Sequence, residues 1–302
     1  MCKNNLTKKG GNKMKKEIRR WIALAIVGAA FLAACGSETN SESSETNSVP
    51  AGSIVDEVKA SGLRVGFVGE IPWSFIENDG SGTFTGAEGE IVKECATQIG
   101  ITEIYPVSAQ FDALLPGLQA KRWDIIAAGM SLRDQRLEIA IATQQMYGFG
   151  VRALVPKGNP DGITSWTDIK NKDLTVGMVS GGNYQESVEA LGIKVKPYDS
   201  LESQILDMEA GRIDVVSNAE LSLVDYVKKN PDKVELANPW NYEGIGASMP
   251  ALYFNQDNVE LRDVFNECVT KLKESGKLAE ILTKWGFDPN SITPAGPGEP
   301  KG

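Results

Sequence analysis

The chain has 302 residues, 41% of them hydrophobic and 24% charged, enough apolar material for one large or two modest folded domains and unlike a collagen-like, coiled-coil or wholly disordered chain. It contains no histidine, which excludes Ser-His-Asp and Cys-His catalysis, His-ligated zinc and an imidazole base, while leaving carboxylate and lysine chemistry open. The formal net charge is −9; without residues 1–34, which hold eight Lys/Arg and one acid, 23 basic residues face 39 acidic ones, a net of −16, and such a surface repels phosphate backbones and speaks against nucleic acid as a partner.

The N-terminus reads as an address. Residues 15–20 are basic, and residues 21–34 form an apolar run of 14 residues. A relaxed transmembrane helix needs about 20, so the layout is that of a secretory signal over residues 1–34. The run ends Leu32-Ala33-Ala34-Cys35, which resembles the bacterial lipobox; the resemblance implies cleavage before Cys35 and lipidation of its thiol. Residues 35–53 are rich in Ser, Glu, Thr and Asn, cannot form a core, and are expected to be a flexible tether.

From residue 54 on, short apolar runs alternate with helical patterns. Strands are predicted at residues 63–68, 104–107, 123–128, 173–179, 193–197, 213–217 and 251–255. Helices are predicted at 90–99, 111–120, from 184, and at 201–210, 261–275 and 278–285. This alternation predicts α/β lobes with parallel sheets. Two such sets occur, so lobe one is expected to comprise residues 54–147 plus 246–288 and lobe two residues 148–245. The connections at 147–152 and 246–252 would be paired crossings that form a hinge. Residues 289–302 are Pro/Gly-rich and expected to be disordered. Cys95 and Cys268 fall in helical stretches, and their spacing does not say whether they pair; two buried free thiols are the expectation.

Residues 111–131, FDALLPGLQAKRWDIIAAGMS, with Arg136 just beyond, resemble the family 3 extracellular solute-binding proteins of amino-acid-type ABC importers. The resemblance runs over about residues 54–288. Residues 66–73, 125–130 and 155–160 are similar to the ectoine/hydroxyectoine-binding branch in particular. It implies a two-lobed periplasmic-binding-protein fold of type II, two Rossmann-like lobes joined by a two-strand hinge, with the ligand between them.

It also implies ligand contacts. Arg136 would grip a carboxylate with a bidentate fork. Gly129 and Ser131 would offer open backbone and a hydroxyl; the ectoine binders place an aromatic residue where this chain has Ser131. Trp73 and Phe111 would sandwich the ligand, and Glu70 would neutralise its cationic part. In lobe two, the turn holding Gly182 and Asn183 would present backbone N–H groups to an anion at a helix N-terminus. Family amino-acid binders keep an Asp for the α-ammonium where this chain has Ala219. That points to a cyclic, tertiary or quaternary nitrogen, unless Glu220 compensates beside Asn218.

The expected function is therefore that of a monomeric, lipid-anchored, extracytoplasmic receptor. It would bind a small zwitterionic solute of the ectoine/hydroxyectoine kind and deliver it to ABC permease subunits, with no cofactor, no metal and no catalytic residue. An amino-acid binder of the same family is the alternative. A cyclohexadienyl-dehydratase-like enzyme on the same fold is the alternative of another class, and a sensory role is not separable from transport.

Overall fold

The computed structural model describes residues 52–243, 245 and 248–292, all within one compact unit spanning residues 49–302. The signal segment, Cys35, nearly all of the tether, Gly246 of the second crossing and most of the tail lie outside the described residues.

The first half runs α1 (Ile54–Ser61), β1 (Leu63–Phe67), β2 (Phe75–Ile76), β3 (Phe84–Thr85), α2 (Ala87–Ile99), β4 (Ile104–Ser108), α3 (Leu114–Gln119), β5 (Ile125–Ile126), α4 (Asp134–Leu137) and β6 (Ile141–Ala142). It continues with β7 (Val151–Pro156), α5 (Trp166–Asn171), β8 (Thr175–Val179), α6 (Gln185–Ala190), β9 (Lys194–Tyr198), α7 (Leu201–Glu209), β10 (Val215–Ala219), α8 (Glu220–Lys229) and β11 (Val234–Leu236). The chain closes with β12 (Tyr253–Phe254), α9 (Val259–Glu274) and α10 (Lys277–Lys284). Local chemistry sets several of these boundaries. Ser53, Ser165 and Ser200 cap α1, α5 and α7 by accepting backbone N–H groups of the first turn. Gly100, in the left-handed region at φ 90°, ends α2.

Two five-stranded sheets form the two lobes, with strand orders β4-β1-β5-β12-β6 and β11-β7-β10-β8-β9. The sheets are mixed rather than all parallel: β12 runs antiparallel to β5 and β6, and β7 antiparallel to β10 and β11. The reason is the crossings. The parallel strands end at the cleft, so a strand entering from the other lobe starts at the cleft and runs away from it. β7 does so after β6, pairing its first residue, Val151, with Ala219 at the end of β10. β12 does so after β11. The two crossings pair with each other at Phe149 and Ser248, whose N–H groups donate to each other's carbonyls at 3.0 and 2.8 Å.

The C-terminal helices belong to lobe one. α9 buries Leu261, Phe265, Cys268, Val269 and Leu272, a helical stripe, and α9 and α10 pack on α2. There the structure overturns the expectation of free thiols: Cys95 of α2 and Cys268 of α9 form a disulfide. Neither spacing nor pattern could pair them, because helix-on-helix packing brings the two sulfurs together across 173 residues. Among the described residues no helix is long and apolar enough to cross a membrane.

Closing a loop of that length removes unfolded-state entropy worth about 5 kcal/mol in the chain-entropy picture, and measured bridges deliver about 2–5. Reducing the bridge, or replacing both cysteines with Ala, is expected to lower the unfolding free energy by an amount in that range. Urea midpoints with and without dithiothreitol measure it, and identical midpoints would refute a structural bridge.

Candidate functional site

Open α/β sheets place their sites beyond the carboxyl ends of parallel strands, and all ten candidate ligand residues, Glu220 directly after β10 included, sit at or just beyond such ends. Glu70 and Trp73 follow β1, Phe111 follows β4, and Gly129, Ser131 and Arg136 follow β5. Gly182 and Asn183 follow β8, and Asn218 is the penultimate residue of β10. Glu70, Trp73, Phe111, Gly129, Gly182, Asn183 and Asn218 line a cavity of about 50 Å³ between the lobes, while Ser131 and Arg136 are not among its lining residues. This is well below the roughly 300 Å³ or more of ordinary small-molecule pockets, so the lobes must part to admit a solute. A groove of about 700 Å³ adjoins it at Glu70, with Asp199, Glu202 and Asp225 along its lobe-two wall.

Arg136 is 8% exposed. Its Nη1 donates to the Ser131 carbonyl at 2.9 Å and to Asn183 Oδ1 at 2.7 Å, and its Nη2 to the Gly181 carbonyl at 3.0 Å. The Phe111 ring lies 5.4 Å below the guanidinium. All of these partners are neutral, and among the described residues no carboxylate pairs with it. Burial lowers its pKa to about 10, which the neighbouring positive charge of Arg133 reinforces, so it remains a cation at neutral pH. A buried charge without a counter-charge is costly.

Asn183 joins the lobes around this cation. Besides Arg136, its Oδ1 accepts the Ser131 N–H at 3.1 Å, and its Nδ2 donates to the Gly129 carbonyl at 2.8 Å and to Ser248 Oγ at 3.0 Å. Gly129 must be glycine. Its φ is +63°, and a Cβ would lie 2.5 Å from the Trp73 ring. Trp73 is buried, edge-on to Phe149 at 5.0 Å and to Phe287 at 5.6 Å, so it combines a core position with a place in the cavity wall. Glu70 accepts a 2.5 Å hydrogen bond from Ser222 Oγ of α8, across the cleft. Burial pushes its carboxyl up to about 7, against the Ser222 hydrogen bond and with help from the negative charge of Glu202. Asn218 Oδ1 accepts the Ala219 N–H, while its Nδ2 is buried without a partner among the described residues.

Two expectations are corrected. Two N–H groups of the turn before α6 are already taken within lobe two, because Gly181 donates to Gln185 Oε1 at 3.0 Å and Gly182 to the Val179 carbonyl at 3.0 Å. A Cβ on Gly182 would meet that carbonyl oxygen at 2.8 Å, so the tight turn accounts for the glycine. Glu220 does not line the cavity. It begins α8 and points to Arg152, whose Nη1 donates to its Oε1 at 2.9 Å, because the strand end turns Asn218 rather than Glu220 toward the cleft. Arg133, three residues before Arg136, pairs with Glu186 of lobe two at 3.3 Å.

Three contributors escape the sequence. Phe149 and Ser248 lie on the crossings, where no periodicity marks them. Glu88 reads as an ordinary first-turn acid of α2, yet it is fully buried. Its Oε2 accepts the Gly129 N–H at 2.9 Å, and its Oε1 the Tyr147 hydroxyl at 2.9 Å. It fastens the cleft-facing glycine to the chain entering the first crossing. Only an invariant acid among aligned relatives could have signalled this.

Residues 63–288 match the sequence pattern of the bacterial extracellular solute-binding proteins, family 3. Over 248 residues the chain is 32% identical to a probable amino-acid ABC transporter periplasmic-binding protein, y4tE, of Sinorhizobium fredii, which covers 79% of this chain and 81% of that one. It is 28% identical over 236 residues to the L-cystine-binding protein TcyJ of Escherichia coli, covering 77% and 85%. Among solved structures, EhuB in complex with hydroxyectoine is similar with a TM-score of 0.73 and 30% identity, over 78% of this chain and 93% of that one.

Burial pushes the Glu88 carboxyl up to about 7, against the hydrogen bonds from Gly129 and Tyr147; in an unfolded chain it titrates near 4.3. Between those values the folded protein holds a proton that the unfolded chain has lost, so this group's contribution to stability falls as pH rises from about 4.5 to 7. Glu88→Gln cannot titrate. Relative to wild type it is expected to be more stable at pH 7.5 than at pH 5, by up to about 3 kcal/mol. Urea denaturation of both proteins at the two pH values reads this, and a pH-independent difference would show that Glu88 is already ionised at pH 5.

Proposed function

Because this chain belongs to the bacterial extracellular solute-binding proteins, family 3, we propose that it captures a small carboxylate-bearing solute between its lobes and delivers it to the permease subunits of an ABC importer. The proposal rests on Arg136: a buried cation whose hydrogen bonds, among the described residues, go to neutral acceptors of both lobes, and which lies against Phe111 of the interlobe cavity wall, calls for an anion. Phe111 steadies the guanidinium from one side, and Ser131 supplies a second donor beside it.

The cavity itself suits a cation. Glu70, the rings of Trp73, Phe111 and Phe149, and the acidic groove beyond Glu70 all favour positive charge. Asn218 Nδ2 adds a donor for a hydroxyl or carbonyl oxygen. Together these describe a zwitterion. Ectoine and hydroxyectoine fit, and the similarity to EhuB favours them. Amino acids are the second reading, favoured by the relatives named as amino-acid and L-cystine binders. Ala219 offers no carboxylate to an α-ammonium, which leaves Glu70 for that part.

In this reading residues 54–147 with 246–288 form lobe one, residues 148–245 form lobe two, and the paired crossings at Phe149 and Ser248 flex as the lobes close. Differential affinity for the closed form drives that closure. Residues 1–34 are removed as a signal, Cys35 carries the lipid that holds the mature monomer at the outer face of the membrane, and residues 36–53 are the tether. Disulfide formation between Cys95 and Cys268 agrees with an extracytoplasmic compartment. The relatives are named as binding proteins of transporters, and no residue here is assigned a catalytic role.

A thermal-shift panel of ectoine, hydroxyectoine, glycine betaine, proline and the common amino acids identifies the solute. A ligand at 100 times its dissociation constant adds about 2.7 kcal/mol of stability. Arg136→Ala is expected to abolish the shift, since removing one partner of a buried charge-assisted pair costs about 2–5 kcal/mol of binding. An undiminished shift in that variant would overturn the assignment of Arg136.

A further inference from the structure

We propose that Asn183 is a built-in competitor for the carboxylate seat, an amide on lobe two that fills the seat when the lobes close without solute. The inference rests on the reading of Arg136 as the carboxylate grip. Two donors of lobe one, Arg136 Nη1 at 2.7 Å and the Ser131 N–H at 3.1 Å, converge on Asn183 Oδ1. Both atoms can only donate, so the oxygen of the amide must face them. The amide nitrogen meets the Gly129 carbonyl at 2.8 Å, which can only accept. The orientation of the side chain is thereby set by its partners.

A side-chain amide is planar and close in size to a carboxylate, but it is neutral. A carboxylate and the amide cannot occupy the same two donors together. The solute wins because a carboxylate brings its own negative charge to Arg136 and can take both arms of the guanidinium, whereas the amide offers it one neutral acceptor. Until then Asn183 links Arg136, Ser131, Gly129 and Ser248 to the turn after β8. The N–H groups of Gly181 and Gly182 contribute no competing grip, since both are already bonded within lobe two. The apparent affinity for solute is then the intrinsic one reduced by the fraction of molecules in which the seat is free.

A simple ligand contact and a competitor respond oppositely to substitution. Asn183→Ala removes the occupant. The solute-free variant is expected to show a larger radius of gyration than wild type in X-ray scattering, and to bind hydroxyectoine about tenfold more tightly by calorimetry, the equivalent of one or two net hydrogen bonds. Asn183→Asp puts a charged occupant beside Arg136. It is expected to stay as compact as wild type and to bind hydroxyectoine at least tenfold more weakly. An Asn183→Ala protein as compact as wild type without solute overturns the proposal, and so does weaker binding by that variant. Should Asn183→Ala fail to fold, hydroxyectoine binding by Asn183→Asp that equals wild type overturns it alone. Should hydroxyectoine bind none of the proteins, the choice of solute fails, while the scattering of the solute-free proteins still decides the role of Asn183.

Discussion

A guanidinium buried at the meeting of two lobes, with no carboxylate paired to it among the described residues, is the constraint the cleft is built around. Arg136 stays charged at neutral pH, and lobe one meets it with the Ser131 carbonyl and the face of Phe111. Its remaining partners, Asn183 and the Gly181 carbonyl, come from lobe two. The energy of that cation therefore depends on whether the lobes are together. Any anion that enters the cleft changes the balance, which is what a receptor that closes on its solute requires.

The fold serves this constraint by ending its parallel strands at the cleft. Turns after β1, β4 and β5 face turns after β8 and β10, so short stretches of backbone present the contacts while the strands behind them stay rigid. The crossings enter at the same edge, and for that reason β7 and β12 run against their neighbours. Glu88 supports the floor from behind, joining Gly129 to Tyr147 just before the first crossing. Movement of the crossing and the position of the cleft glycine thus share one buried carboxyl group. Lobe one is further fastened by the Cys95–Cys268 bridge, which ties the late helix α9 to the early helix α2.

Polarity runs along the cleft. Arg136 stands at one end; Glu70, raised toward 7 by burial, stands at the other beside an acidic groove. The aromatic rings lie between. The net negative charge of the chain disfavours polyanions.

Composition and periodicity alone determined a great deal. The apolar runs at residues 63–68 and 173–179 are near-continuous because strands buried on both faces need no alternation, and they marked the α/β class. The stripe of Leu261, Phe265, Cys268 and Leu272 marked α9, since a helix with one buried face repeats at 3.6 residues. Absent histidine removed whole classes of chemistry. Strands β7 and β11 and helices α5 and α8 were less legible, because their runs are short or mixed and their pairing is set by partners distant in sequence. Tertiary structure decided what depends on two segments meeting: the Cys95–Cys268 bridge, the burial of Glu88, and the turning of Glu220 toward Arg152. It also spent the Gly182 N–H on Val179 and seated Asn183 on Arg136. A one-dimensional pattern records how a segment shares itself between core and water, whereas a hydrogen bond across 47 residues exists only once both lobes are built and brought together.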